Sequence, residues 1–231
     1  MSSTSALSPA TDAAFPLTVE AAANVVRIPY RIEIEGGPVV RCWDPRDAPL
    51  LKEAVDSSLE HLREWMPWAH DEPHTLGAKA ELLRHFRGQF DLAQDFVYGI
   101  FSADESEVLG GTGLHTRRGE GAFEIGYWVR ADSINCGIAT TVAAALTKVG
   151  IELGGADRIE IHVDPANEVS CRIPRRLGYV EEGTLRRRLP GPAGSPRRDA
   201  IVFSLLAEDL AASPAALVSL TAFDCRGLVL G

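Results

Sequence analysis

Between Phe123 and Tyr179 the chain gathers the residue types that could hold and transform an anionic ligand. Gly137 stands in a short loop, Ile134-Asn135-Cys136-Gly137-Ile138-Ala139, and Ile138, Val142, Leu146, Val149 and Leu153 then recur at helical spacing. A helix that begins there leaves the N–H groups of its first turn, around Asn135 to Thr140, without intrahelical partners. It also carries the positive end of the helix dipole. Such an N-terminus suits a phosphate or pyrophosphate, and Gly137 lets the backbone approach it closely. Further on, Asp164-Pro165-Ala166-Asn167-Glu168-Val169-Ser170 opens a second helix, with an amide and a hydroxyl three residues apart. Upstream, the strand-like run Phe123 to Arg130 carries Glu124 on the same face as Gly126 and Trp128. Glu124 is a candidate general base, or else a structural carboxylate paired with an arginine. His115, closing the preceding strand, is the rival base, and packing is its plainer use.

These groups need a scaffold, and the chain supplies one. Tyr30 to Glu35 and Val39 to Trp43 read as strands around the turn Gly36-Gly37-Pro38. Asp44-Pro45 starts a helix, with Asp at the N-cap and Pro in the first turn; its apolar positions run Leu50, Leu51, Val55, Leu59 and Leu62. Trp65-Met66-Pro67-Trp68 breaks that helix, and Leu76 to Phe90 is the next. Phe96 to Ser102 and Glu107 to His115 form a strand pair, Arg158 to Val163 a later strand. Tyr179 to Leu189 and Ala200 to Leu206 close the fold around a Pro/Gly/Ser-rich loop. This order predicts one layered α/β sheet flanked by helices and no internal repeat. A loose leader over 1–25, a domain over 26–206 and a C-terminal extension over 207–231 complete the expected organisation. The extension either packs on the domain or swaps between subunits of a homodimer.

With 231 residues, 45% of them apolar, and a net charge of −9, the chain fits one soluble domain with a substantial core. An acidic balance argues against a broad nucleic-acid footprint or an anionic membrane surface. Four cysteines without a CxxC pair and six histidines without ligand spacing indicate neither a disulfide framework nor a metal site. No basic-then-apolar leader and no apolar run of membrane length is present, so the expected address is the cytoplasm.

Taken together, the motifs resemble the GNAT acyltransferase superfamily. Gly137 and Ala139 fill the last two fixed positions of its Q/R-x-x-G-x-G/A loop, Asn167 and Ser170 its N-x-x-S, and Gly178-Tyr179 the close of the following helix. Three further segments are similar to the ribosomal-protein acetyltransferase (Rim-type) branch: Leu62 to Trp68, Gly110-Gly111-Thr112-Gly113-Leu114, and Glu124 to Trp128. The resemblance spans about 30–206 and implies a three-layer GNAT fold, a mixed twisted sheet with splayed central strands between helices. One position departs from the pattern. The loop's first residue, Gln or Arg in the family, is Ile134 here, and Asn135 follows it where glycine is common. Backbone amides can still hold the phosphates, without a guanidinium's help.

The activity implied is direct acyl transfer, most simply of acetyl, from acetyl-CoA to a primary amine of a small molecule or of a peptide N-terminus, with no metal. The resemblance assigns Trp128, Val129, Asn135, Cys136, Gly137, Ile138, Ala139 and Thr140 to the cofactor. It adds Asn167 for the pantetheine arm and Arg176, or Arg172, for the phosphates. Glu124 is the expected base and Ser170 the expected group at the leaving thiolate, unless Ser170 serves only as a helix cap. Neither Cys136 nor Cys171 has a partner spaced to activate it as a nucleophile. The Trp65 to Trp68 corner is expected to line the acceptor pocket or to fill the core. Because of Ile134, a module that binds acyl-CoA or a protein partner without turnover is the alternative.

Overall fold

The computed structural model describes residues 27–191 and 195–230; the expected leader lies outside them. Nine strands form one sheet, β1 (Arg31–Ile34), β2 (Val39–Cys42), β3 (Phe96–Phe101), β4 (Val108–His115), β5 (Ala122–Val129), β6 (Arg158–Val163), β7 (Val180–Leu189), β8 (Arg198–Leu206) and β9 (Leu220–Phe223). Their spatial order is β7-β8-β6-β5-β4-β3-β2-β1-β9. Every pairing is antiparallel except β5 with β6. Helices α1 (Ala48–Asp56), α2 (Leu59–Trp65) and α3 (Leu76–Asp91) belong to the N-terminal half, α4 (Ile138–Glu152) and α5 (Glu168–Arg176) to the C-terminal half. Alternation along the strands sends Leu114, Ile125 and Ile161 into the core with Val142 and Leu146 of α4. Val39, Phe101 and Val108 pack instead with Leu51 of α1 and Leu83 of α3.

The expected helix from Asp44 is divided. Asp44 and Asp47 cap each other reciprocally around a 3₁₀ turn (Pro45–Asp47) that leads into α1. The helical run then stops at Ser57-Ser58 before α2. Ser58 is buried, and its hydroxyl accepts the N–H of Ala131 at 2.9 Å, tying this break to the loop after β5. A hydrogen-bonding requirement, invisible in the periodicity of Leu51, Val55 and Leu62, therefore fixes where α2 begins.

Two further features place the site. Parallel pairing of β5 with β6 covers only Ala122 to Glu124 opposite Arg158 to Glu160. From Ile125 onward β5 keeps β4 on one side and, among the described residues, has no strand on the other. The tail beyond Leu206 meanwhile folds back on the domain: β9 pairs with β1, and Lys148 of α4 donates to the carbonyls of Ala216 and Val218 at 3.2 and 3.1 Å. That cover explains why α4 is buried at every position from Val142 to Thr147 rather than along one stripe.

Candidate active site at the splayed strands

Two cavities of about 690 and 670 Å³ meet at the β5 edge and share Trp65, Met66, Tyr127, Trp128, Asn167 and Ser170. The first is built from helix ends. Asn135 and Gly137 both take left-handed backbone conformations, φ +61° and +82°, and turn the chain sharply into α4. The amides that open α4 point into this cavity, whose wall includes Asn135, Gly137, Ile138, Ala139 and Thr140, with Val129 across the gap. Cys136 does not line it; its thiol contacts the carbonyl of Ile134 instead. Arg172 and Arg176 of α5 close the other wall. The nearest upstream arginine, Arg130, is committed elsewhere, to Asp132 at 2.7 Å, to Glu53 at 3.1 Å and to the carbonyl of Val108. With Ile134 at the loop's start, cationic help for a phosphate comes from α5 and not from the loop. Free helix-start amides, a left-handed glycine and two arginines fit the pyrophosphate of a nucleotide-type cofactor.

At the junction, Tyr127 and Ser170 are hydrogen-bonded at 3.0 Å. Ser170 is not the cap of α5. Asn167 is, its side-chain oxygen accepting the Ser170 N–H at 3.0 Å. Burial pushes the Tyr127 phenol up to about 12, with the Ser170 bond opposing it, so it stays protonated at neutral pH. Two hydroxyls that share one mutual hydrogen bond keep one further proton to offer. Tyr127 was not among the residues the sequence pointed to; its place two residues after Ile125 on the core-facing side of β5 reads as packing. Tyr179 is a different case. It is buried and bonded to Thr147 at 2.6 Å, away from both cavities.

Side chains from distant segments make the second cavity. Trp65, Met66 and Trp68 from the α2 corner form one wall with Phe86 of α3. Trp68 meets Trp128 edge to face at 5.9 Å between ring centroids. The floor is the glycine run of β4. A Cβ at Gly111 would lie 2.5 Å from the Trp128 indole nitrogen, and one at Gly113 would lie 2.9 Å from His115 Nε2. These glycines leave room for the indole and the imidazole to lie flat over the sheet. His115 is oriented by Asp95, whose carboxylate is 2.9 Å from Nδ1, while its Nε2 sits against Gly126 on the splayed strand. With Nδ1–H donating to Asp95, the Nε2 lone pair is left to accept a proton.

Glu124, the expected base, does not have that freedom in this geometry, which gives it instead the arginine partners of a structural carboxylate. It is buried and lines neither cavity. Arg117 binds both its oxygens, at 3.0 and 2.5 Å, and Arg118 adds a close ion pair. Burial works against its ionisation, but the arginines outweigh it and hold the carboxyl below the usual range. The same cluster claims His162: Arg118 donates to Nδ1 at 2.9 Å, and Nε2–H faces Glu160 at 2.6 Å, which leaves this ring without a free lone pair. Among the described residues no group of His, Cys, Asp and Glu has metal-site geometry, and no helix is long and apolar enough to cross a membrane.

Known proteins are similar to this chain in sequence and fold. The family model described as acetyltransferase (GNAT) domain matches residues 39–180, well over half of the chain. The "Putative ribosomal N-acetyltransferase YdaF" of Bacillus subtilis (strain 168) is 25% identical over 168 residues, covering 72% of this chain and 90% of that protein. Among solved structures, Mycobacterium smegmatis RimJ in complex with CoA-disulfide superposes with a TM-score of 0.70 at 24% identity, over 80% of this chain and 90% of that one. The microcin C7 self-immunity acetyltransferase MccE, in complex with acetyl-CoA and AMP, also gives 0.70, at 16% identity over 79% and 99%. At these identities the structures speak for the fold alone.

Proposed function

As a member of the acetyltransferase (GNAT) domain family the chain is an N-acetyltransferase, and we propose that it moves the acetyl group of acetyl-CoA directly onto a primary amine, of a peptide or protein N-terminus or of a small molecule, with His115 as the base. The observation that carries this reading is the meeting of two cavities at one unpaired strand edge. The helix-start amides and two arginines lie on one side, the Asp95-oriented imidazole on the other, and the Tyr127–Ser170 pair between them.

Bound acetyl-CoA supplies an activated carbonyl and a thiolate leaving group. The amides opening α4, with Arg172 and Arg176, hold its phosphates, and the free edge of β5 offers backbone groups alongside. An alkylamine with a pKa of about 10 is mostly ammonium at neutral pH, so it must lose a proton before it can attack. His115 Nε2 accepts that proton, and Asp95 stabilises the imidazolium that results. The Tyr127–Ser170 pair donates its spare hydrogen bond on the cofactor side, where the departing sulfur needs one. Trp65, Trp68 and Trp128 give this chemistry apolar walls.

Ile134 motivates the second reading, a module that holds acyl-CoA without turnover. Calorimetry with acetyl-CoA followed by thiol release over a panel of peptides and alkylamines separates the two. Binding with release on at least one amine is the expected result. Tight binding with no release on any would favour the silent module, and no binding would remove both.

A further inference from the structure

The acidic chain concentrates five of its 23 Lys and Arg residues in one hairpin, Arg186, Arg187, Arg188, Arg197 and Arg198, with no carboxylate between the first and last of them. The hairpin forms the outer edge of the sheet, and β7 is exposed along nearly its whole length. Its root belongs to the second cavity: Leu189, Pro190 and Arg198 line it. Arg198 is fixed there, donating to the Glu64 carbonyl at 3.1 Å and pairing with Asp164 at 2.8 Å. Arg197 braces the arm from within, through the carbonyls of Arg187 and Arg188 at 2.9 and 2.7 Å. Arg186, Arg187 and Arg188 are exposed and have no ion-pair partner among the described residues. Three consecutive exposed guanidinium groups next to the cavity-lining Leu189 and Pro190 oppose the protein's overall charge, and the nearest bonded carboxylate, Asp199, accepts the Arg187 backbone N–H at 2.7 Å.

We propose that this hairpin is a docking arm for an acidic segment of a polypeptide acceptor, one whose N-terminal amine enters the second cavity while carboxylates a few residues downstream pair with Arg186, Arg187 and Arg188. The inference rests on the reading of that cavity as the acceptor site. Geometry supports the spacing. An extended chain advances roughly 3.3 Å per residue, so a peptide leaving the cavity at Leu189 and Pro190 runs beside these arginines within its next few residues. Guanidinium forks match carboxylates bidentately, which gives the arm a preference for Asp and Glu. The net charge of −9 opposes a nucleic acid at the same place.

The test uses the full chain and three peptides that share their first two residues and carry a fluorophore at the C-terminus. One continues with Asp and Glu, one with Ala and Ser, one with Lys. Binding is read by anisotropy at low and high salt. The acidic peptide should bind about tenfold more tightly than the neutral one at low salt and lose that advantage at high salt. In the variant Arg186→Glu/Arg188→Glu the preference should vanish or turn toward the Lys peptide, with acetyl-CoA affinity and turnover of a small alkylamine unchanged. Equal binding of all three peptides to the wild-type chain would overturn the proposal, as would a variant that keeps the acidic preference. An RNA oligonucleotide that outcompetes the acidic peptide would overturn it in favour of a nucleic acid. Failure of the parent reading looks different: charge preference intact, and no acetyl transfer to any peptide.

Discussion

Glu124 and His115 face each other directly across β5 and β4, on the same side of the sheet. By residue type either could be the base. Their partners separate them. Arg117 and Arg118 surround Glu124 and lower its affinity for a proton, whereas Asp95 accepts from Nδ1 of His115 and leaves the Nε2 lone pair of that ring free. A group's capacity as a base is thus set by what its neighbours leave free, and here two residues paired directly across the sheet, about 5 Å apart by ordinary sheet geometry, are given opposite surroundings. One locks the narrow end of the splay; the other looks into the cavity where the splay has opened.

The largest effect should come from removing the imidazole. His115→Ala is expected to lower kcat by about 10²- to 10⁴-fold in thiol-release assays while acetyl-CoA affinity by calorimetry stays within about twofold. A rate within threefold of wild type would end the assignment. Asp95→Asn tests the orienting carboxylate. It should reduce the plateau rate by about tenfold while acetyl-CoA affinity by calorimetry is unchanged, because the ring loses the partner that fixes its tautomer and orientation. An unchanged plateau rate would break the argument. Glu124→Gln should change the rate least and the stability most, costing roughly 1–3 kcal/mol by replacing the buried carboxylate that Arg117 and Arg118 both bind. The sign follows from the depressed carboxyl. Its stabilisation is present above the unfolded pKa, near 4.5, and is lost as pH falls through the lower folded value. Thermal melts from pH 6 downward should therefore fall less steeply for the glutamine variant than for wild type. Normal stability combined with a lost rate would reverse the roles of the two residues.

The cofactor side was the legible one. Gly137, Ala139, Asn167 and Ser170 sit in local motifs, a turn into a helix and a helix cap, and neighbours in sequence fix such geometry without help from the rest of the chain. β6 begins and ends where Arg158 and Val163 mark it, because alternation over six residues is strong. Cys136 shows the limit even here: a tight turn directs alternate side chains away from the ligand, and the turn's dihedrals are not written in the residue's type. The acceptor side was far less legible. His115 meets Asp95 from the loop before β3, and the tryptophan corner meets β5 from sixty residues away. Tyr127 reaches Ser170 across 43 positions. The glycines of β4 were visible as a motif, but their purpose, leaving room for two rings, needs the rings in place.

By itself the sequence determined the family, the layered sheet and the loop that opens α4, since these follow from periodicity and from contacts within a few residues of each other. Only the tertiary structure decided which ionisable groups are already paired and which keep a free lone pair. Burial, the sign of the nearest charge and the end of a hydrogen-bonded ladder arise from residues far apart in the chain, and they turned Glu124 into a strut and left His115 with a lone pair.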